Sequence, residues 1–376
     1  MKVLFIFGTR PEAIKLAPVV RELAGRRNFE CKICVTGQHR EMLSQVLDLF
    51  ELEPDWNLDL MRPDQDLAYL TGAALSGVGK IIEDFQPDRV VVQGDTTTTF
   101  AGALAAFYHR VPVAHVEAGL RTDNIYSPWP EEINRRLVTQ IADLHFAPTV
   151  RARANLLREG VSGERILVTG NTGVDALLWV SALLDGRPDL QSRFRALLPA
   201  QFAGRRLILL TGHRRESFDG GIERICKTMA RIAQRPDVAV VFPVHRNPNV
   251  RRAIEPLQGC ENVALVEPVD YPELVFLLKR CHFVVTDSGG IQEEAPSFGK
   301  PVLVTRDTTE RPEALELGLA RLVGTDEERL FSAMSTLLDD PDFYARMGRI
   351  ENPYGDGYAS RRIAERLTAK PPLRPQ

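Results

Sequence analysis

Residue types able to do chemistry gather in a few short loops of this chain. The run Asp287-Ser288-Gly289-Gly290 follows an apolar stretch, His282 to Thr286, and precedes a helical pattern predicted from Ile291 to Ser297. A strand that stops at Ser-Gly-Gly and restarts as a helix presents unpaired backbone N–H groups and a helix dipole at one spot. Anions bind at such places. Glu293 and Glu294 lie inside that helix and add acceptors for hydroxyls. A ligand with both phosphates and hydroxyls suits this combination.

A second set consists of carboxylates and cations at the ends of apolar runs. Gly94-Asp95-Thr96-Thr97-Thr98-Thr99 and His115-Val116-Glu117-Ala118-Gly119-Leu120-Arg121 each put one carboxylate just past such a run, so Asp95 and Glu117 are expected to face the same cleft. Asp95 also stands where a helix N-cap would stand, whereas Glu117 is followed by Ala118-Gly119. Glu131 and Glu132 fall in the first turn of a predicted helix, where acids answer the helix dipole, and Arg135 shares a face with Glu131. In Thr211-Gly212-His213-Arg214-Arg215-Glu216-Ser217, three consecutive cationic or titratable side chains in a strand-end loop are hard to explain as packing. His213 is the strongest single candidate outside the Asp287 run. His245 has a similar placement and reads equally well as an ordinary loop residue.

Gly8-Thr9-Arg10-Pro11-Glu12 follows the first strand, and Pro11 suits a first helical turn because its missing N–H needs no partner there. Arg10 then faces a ligand at the strand end, with Lys15 one turn along; by residue type alone both read equally well as solvated charges. Neither GxGxxG nor GxxxxGK[ST] occurs, which disfavours a dinucleotide or P-loop site.

The elements that must carry these loops follow a repeating pattern. Apolar runs of about five residues alternate with helical periodicity, the signature of parallel βαβ units. Strands are predicted at Lys2–Phe7, 31–36, Arg89–Gln93, 111–116, Leu144–Ala147 and Ile166–Val168, and again at 207–210, 238–242, Val263–Val266, Phe283–Thr286 and 302–305. At 376 residues two domains are expected: residues 1–170 and 171–357, each a doubly wound Rossmann-like α/β domain. Ligands of such sheets collect beyond the carboxyl ends of the strands, where the polar motifs fall.

A net charge of −3 gives no overall field for nucleic acid or an anionic membrane. The first apolar strand is too short for a secretory signal, and no run approaches the ~20 apolar residues of a membrane span, so a cytosolic protein is expected. Cys31, Cys34, Cys226, Cys260 and Cys281 are odd in number and scattered. Cys31 and Cys34 lie in a predicted strand, where positions three apart point to opposite faces, and nothing completes a zinc site.

The string DSGGIQEEAPSFGKPVLVTRDTTERPEA (287–314), the opening GTRPEAIKLAP (8–18) and PEEINR (130–135) together resemble the non-hydrolysing UDP-N-acetylglucosamine 2-epimerases, of glycosyltransferase-B architecture. The resemblance runs from Lys2 to about Ile363. It implies a last helix, 358–376, packing back on the first domain, a homodimer, UDP-N-acetylglucosamine and UDP as ligands, and no cofactor. It also implies that Arg10 and Lys15 contact substrate, that Glu131 borders the active site, and that Gln38, His39, Glu132, Arg214 and His245 form a second, activating nucleotide-sugar site. Where some relatives carry glutamine and phenylalanine against the uracil, this chain has Val269 and Leu274.

The chemistry so implied is specific. The proton on carbon 2 of the sugar is not next to a carbonyl, and oxidation of a neighbouring carbon would call for the missing nicotinamide fingerprint. Expulsion of UDP from carbon 1 acidifies that proton and gives 2-acetamidoglucal; re-addition with protonation from the other face gives the mannosamine epimer. The expected roles are Arg10, Lys15, His213 and the amides of Ser288, Gly289 and Gly290 on the diphosphate, and Glu294 on the ribose. Asp95, Glu117 and Glu131 then surround the sugar and share the roles of base, acid and oxocarbenium stabiliser, in an order the sequence leaves open, with Arg135 orienting Glu131 and Arg311 holding a phosphate or sugar hydroxyl. A hydrolysing epimerase that releases free N-acetylmannosamine, a UDP-sugar glycosyltransferase and a UDP-sugar-binding regulator without turnover are the alternatives.

Overall fold

The computed structural model describes residues 1–37, 40–62, 65–212, 220–348 and 351–369. The chain divides into two units, the first Met1–Ala176 with the segment from Tyr354 onward, the second Leu177–Pro353.

The first unit holds strands β1 (Lys2–Phe7), β2 (Glu30–Val35), β3 (Trp56–Asn57), β4 (Arg89–Gln93), β5 (Val113–Val116), β6 (Leu144–Ala147) and β7 (Ile166–Val168), in the order β3-β2-β1-β4-β5-β6-β7. All pairings are parallel, with Lys2 opposite Glu30 and Val3 opposite Arg89. Parallel strands covered on both faces read as continuous apolar runs, and Val3 to Phe7 are fully buried. Leu4, Ile6, Val90 and Val92 pack with Val78, Ile81 and Ile82 of helix Leu67–Phe85. Helix Ala359–Ala369 buries Ile363, Ala364 and Leu367, and Thr368 accepts a hydrogen bond from Arg26 at 3.1 Å.

The second unit holds β8 (Arg206–Thr211), β9 (Val238–Pro243), β10 (Val263–Val266), β11 (Phe283–Thr286), β12 (Val302–Val304) and β13 (Ala320–Leu322), in the order β10-β9-β8-β11-β12-β13, again parallel. Ile208, Leu210, Phe242 and Val285 pack with Ile222, Ile225 and Met229 of helix Gly221–Ile232 and Leu330 and Met334 of helix Glu327–Asp339. The expected class, two doubly wound parallel sheets in one chain, is what the structure contains.

Each sheet reverses its strand order once, between β1 and β4 in the first unit and between β8 and β11 in the second. Ligands of open parallel sheets bind at such reversal points. The loops of Arg10, Asp95 and Ser288 follow three of these strands, β1, β4 and β11, and the Glu117 loop follows β5 beside β4.

Two short strands, β3 and β13, escape the sequence pattern because two or three residues carry no readable alternation. The helix after Asp287 spans Gly289–Glu294 rather than Ile291 to Ser297; Ala295–Phe298 tightens into a 3₁₀ turn closed by Gly299 at φ 62°. Among the described residues no helix is long and apolar enough to cross a membrane.

Candidate active site

At the reversal point of the first sheet, Glu12 joins the loops after β1 and β4. Thr9 caps helix Arg10–Ala24 and forms a capping box with Glu12. The buried carboxylate accepts from Gly8 N (3.0 Å), Thr9 N (2.8 Å) and Thr9 Oγ1 (2.7 Å) through Oε2, and from Thr96 Oγ1 (2.6 Å) and Thr99 Oγ1 (2.9 Å) through Oε1. Burial raises its pKa, and the bonds from Thr96, Thr9, Gly8 and Thr99 counter that only in part. A side chain on Gly8 would collide with the Thr36 and Thr98 hydroxyls, themselves 2.9 Å apart, so only glycine lets the two loops close in.

Glu117 follows β5 in the left-handed region, φ 65°. A non-glycine residue there carries strain of about 1–3 kcal/mol and persists only where its surroundings hold it. Its neighbours do so: Lys15 Nζ lies 2.5 Å from Oε1, Asn171 Nδ2 donates to Oε1 at 3.3 Å, and Gln93 Nε2 donates to Oε2. Gly119, φ 95°, completes the turn, because a Cβ there would strike the Ala152 carbonyl. Beneath it, His115 Nε2 bonds the Gly94 carbonyl at 2.7 Å. Burial pushes the His115 pKa down to about 4. His145, opposite His115 on β6, is lowered to about 3 by burial and by His115 beside it.

Asp95 is engaged from helix Glu131–Ile141. Arg135 donates to its carboxylate, and Asn134 Nδ2 donates to its backbone carbonyl at 3.0 Å. Glu132 lies fully buried beside them, accepting from Arg135 (3.3 Å), Arg136 (3.0 Å) and the Thr122 amide (3.1 Å). Helical spacing had singled out Glu131 as the partner of Arg135. The bonds described for its guanidinium go to Asp95 and Glu132. Glu131 is half-buried at the helix start.

In the second unit, Thr211 and Thr286 at the ends of β8 and β11 bring their hydroxyls to 2.6 Å. Thr286 Oγ1 also accepts from Ser288 N at 2.9 Å, which sets the start of helix Gly289–Glu294. Arg311 lies against Gly289 so closely that a Cβ there would sit 2.5 Å from Nη1. Its guanidinium pairs with Glu293 at 2.7 Å and with Glu310, and Glu310 takes a further bond from Arg306 at 2.9 Å. Arg311, expected on a phosphate or sugar hydroxyl, thus has described partners that are buried carboxylates. Glu294 accepts from Tyr271 Oη at 3.1 Å.

The expected residues therefore gather by unit: Arg10, Lys15, Asp95, Glu117, Glu131 and Arg135 in the first, and Ser288, Gly289, Gly290, Glu294 and Arg311 in the second. Glu132, expected in an activating site, has both carboxylate oxygens occupied inside the fold. His245 is exposed, and its Nδ1 accepts from Asn247 N at 3.2 Å. Gln38, His39, His213 and Arg214 lie outside the described residues. Sequence reasoning assigned no role to Glu12, Gln93 or Asn171. The Thr9-x-x-Glu12 spacing was a readable sign for the first, whereas nothing local marks the other two.

The profile of the family described as UDP-N-acetylglucosamine 2-epimerase matches residues 21–368. The chain belongs to the UDP-N-acetylglucosamine 2-epimerase family. It is 54% identical over 369 residues to the UDP-N-acetylglucosamine 2-epimerase of Escherichia coli K12, covering 98% of both chains. Among solved structures, it is similar to the UDP-GlcNAc 2-epimerase from Neisseria meningitidis bound to UDP-GlcNAc, with a TM-score of 0.94 at 48% identity over 98% of this chain and 100% of that one. It is also similar to the Methanocaldococcus jannaschii UDP-GlcNAc 2-epimerase in complex with UDP-GlcNAc and UDP, with a TM-score of 0.85 at 36% identity over 98% and 100%. Membership makes this protein an epimerase, an isomerase by reaction class, and two doubly wound units are the fold of the family.

Proposed function

We propose that this epimerase interconverts UDP-N-acetylglucosamine and UDP-N-acetylmannosamine by eliminating and re-adding UDP. The carbon 2 proton passes to a carboxylate while the carbon 1–oxygen bond breaks, and the bonding pair leaves with UDP. The resulting 2-acetamidoglucal takes a proton on its other face as UDP oxygen re-forms the bond to carbon 1. Atoms and electrons balance without a redox partner.

The observation that carries the reading is the placement of two ion-paired carboxylates past adjacent strands, Glu117 with Lys15 and Asp95 with Arg135. Binding alone does not call for two separately countered acids, Glu117 buried and Asp95 partly exposed; proton transfer at two faces does. Positioned acids and bases contribute roughly 10²–10⁴-fold, and cations on the leaving group add a comparable amount. Arg10 and Lys15 act on the diphosphate, and Asp95, Glu117 and Glu131 act on the sugar. The helix start at Ser288–Gly290 in the second unit suits a nucleotide phosphate, with Glu294 as an acceptor for ribose hydroxyls.

Turnover of UDP-N-acetylglucosamine in deuterium oxide, with no added cofactor, tests this. The expected product is UDP-N-acetylmannosamine carrying deuterium at carbon 2. Retention of the original hydrogen would sink the elimination route, and free N-acetylmannosamine would assign the hydrolysing reaction.

A further inference from the structure

Glu12 has no direct place in the chemistry above, yet it bonds both the loop that carries Arg10 and the turn that follows Asp95. Through Oε2 it holds Gly8 and Thr9, the two residues before Arg10. Through Oε1 it accepts from Thr96, the residue after Asp95 and the cap of helix Thr97–Tyr108. The Thr99 hydroxyl lies within bonding distance of both Oε1 (2.9 Å) and the Gln93 carbonyl (2.6 Å), and the Gln93 side chain holds Glu117. One buried carboxylate thereby ties together the settings of Arg10, Asp95 and Glu117.

We infer that Glu12 is a positioning residue that fixes the loop after β1, with Arg10 and Lys15, relative to Asp95 and Glu117 for the epimerisation. The inference rests on the proposed reaction. A capping box needs only the Thr9 side of the carboxylate; the bonds to Thr96 and Thr99 cross to the first turn of the helix after β4 and lie outside the capping of helix Arg10–Ala24. Reacting groups must be held to a fraction of an ångström, and misplacement by about 1 Å can lower a rate about 10²-fold. An amide can keep the arrangement. Its oxygen accepts from Gly8 and Thr9, its NH₂ donates to the Thr96 and Thr99 hydroxyls, and those hydroxyls turn their protons to each other and to the Gln93 carbonyl.

The test is steady-state epimerisation of UDP-N-acetylglucosamine by wild type, Glu12→Ala, Glu12→Gln, Thr96→Val and the double variant Glu12→Ala/Thr96→Val, with kcat expressed per folded enzyme. Glu12→Ala is expected to lower kcat about 10²-fold with KM within about three-fold. Glu12→Gln is expected to recover at least about ten-fold of that loss, and the double variant to lose less than the product of the single losses because both remove one connection. Unchanged kcat per folded enzyme in Glu12→Ala, or a loss carried by KM alone, would overturn the inference and leave Glu12 a helix cap. If Glu12→Ala yields no folded protein, Thr96→Val decides: a kcat loss of about ten-fold supports the inference, and wild-type kcat overturns it. Failure of the wild type to form UDP-N-acetylmannosamine is a separate result, against the reaction itself.

Discussion

Lys15 and Glu117 stand 102 residues apart in sequence and 2.5 Å apart in the fold, with side-chain exposures of 14% and 6%. The lysine comes from the second turn of a helix, and the glutamate follows a strand two places across the sheet. Removing one partner of a buried pair strands the other. Lys15→Met is therefore expected to lower unfolding stability by about 3 kcal/mol, the lower end for such pairs, because Gln93 and Asn171 still donate to Glu117. Denaturant unfolding measures this, and kcat/KM is expected to fall at least about 10²-fold alongside it. Lys15→Arg restores charge without the compact ammonium and is expected to leave activity low.

Arg135 spans Asp95 and Glu132 with two guanidinium nitrogens. A lysine offers one nitrogen in place of that fork. Arg135→Lys is expected to preserve the fold and to lower kcat by about 10–10²-fold through Asp95. Arg135→Met leaves two carboxylates without this partner and is expected to cost about 3–5 kcal/mol of stability. Equal kcat for Arg135→Lys and wild type would show that Asp95 keeps its setting without the fork.

In the second unit, Gly289→Ala puts a methyl 2.5 Å from Arg311 Nη1 and 2.6 Å from Cζ. That guanidinium is held by Glu293 and Glu310, so it has little freedom to retreat. The expected outcome is a displaced helix start and a rise in KM for the nucleotide sugar of at least about ten-fold, with kcat less affected. Titration with UDP alone checks it: unchanged UDP affinity contradicts a phosphate role for this helix start.

His115 and His145 make acid stability steep. Their folded-state pKa values, about 4 and about 3, lie below the ordinary histidine value near 6.5 because burial disfavours the charged ring. Between those limits the unfolded chain binds more protons than the folded one, so stability rises with pH and is lost as pH falls below about 6.5. Each histidine contributes a slope of up to ~1.4 kcal/mol per pH unit. Glu12, raised by burial, has the opposite sign: its contribution is full below the ordinary glutamate value and is lost as pH rises through its folded value. Comparing wild type with His145→Leu in denaturant unfolding from pH 4.5 to 7.5 isolates one histidine, and the variant is expected to show the shallower slope. Parallel curves would refute the assignment.

What was legible in the sequence was whatever is encoded locally. Buried parallel strands must be apolar on both faces, so their runs stand out, and the polar loops between them announce themselves by contrast. Asp95, Glu117 and the Ser288-Gly289-Gly290 turn were singled out this way, whereas Lys15 was singled out only by the family resemblance. Strands β3 and β13 were missed because so few residues carry no period.

The sequence by itself determined the two parallel sheets, the polar loops at the ends of their strands and the family. Only the tertiary structure decided which side chains pair. Arg135 could be read along its helix toward Glu131, but an arginine reaches as far across a sheet edge as along a turn, and the neighbouring strand brought Asp95 to it. Glu12 was given no role from the sequence, although its spacing from Thr9 is local; that it gathers Thr96 and Thr99 depends on β1 lying beside β4, a juxtaposition no stretch of sequence contains.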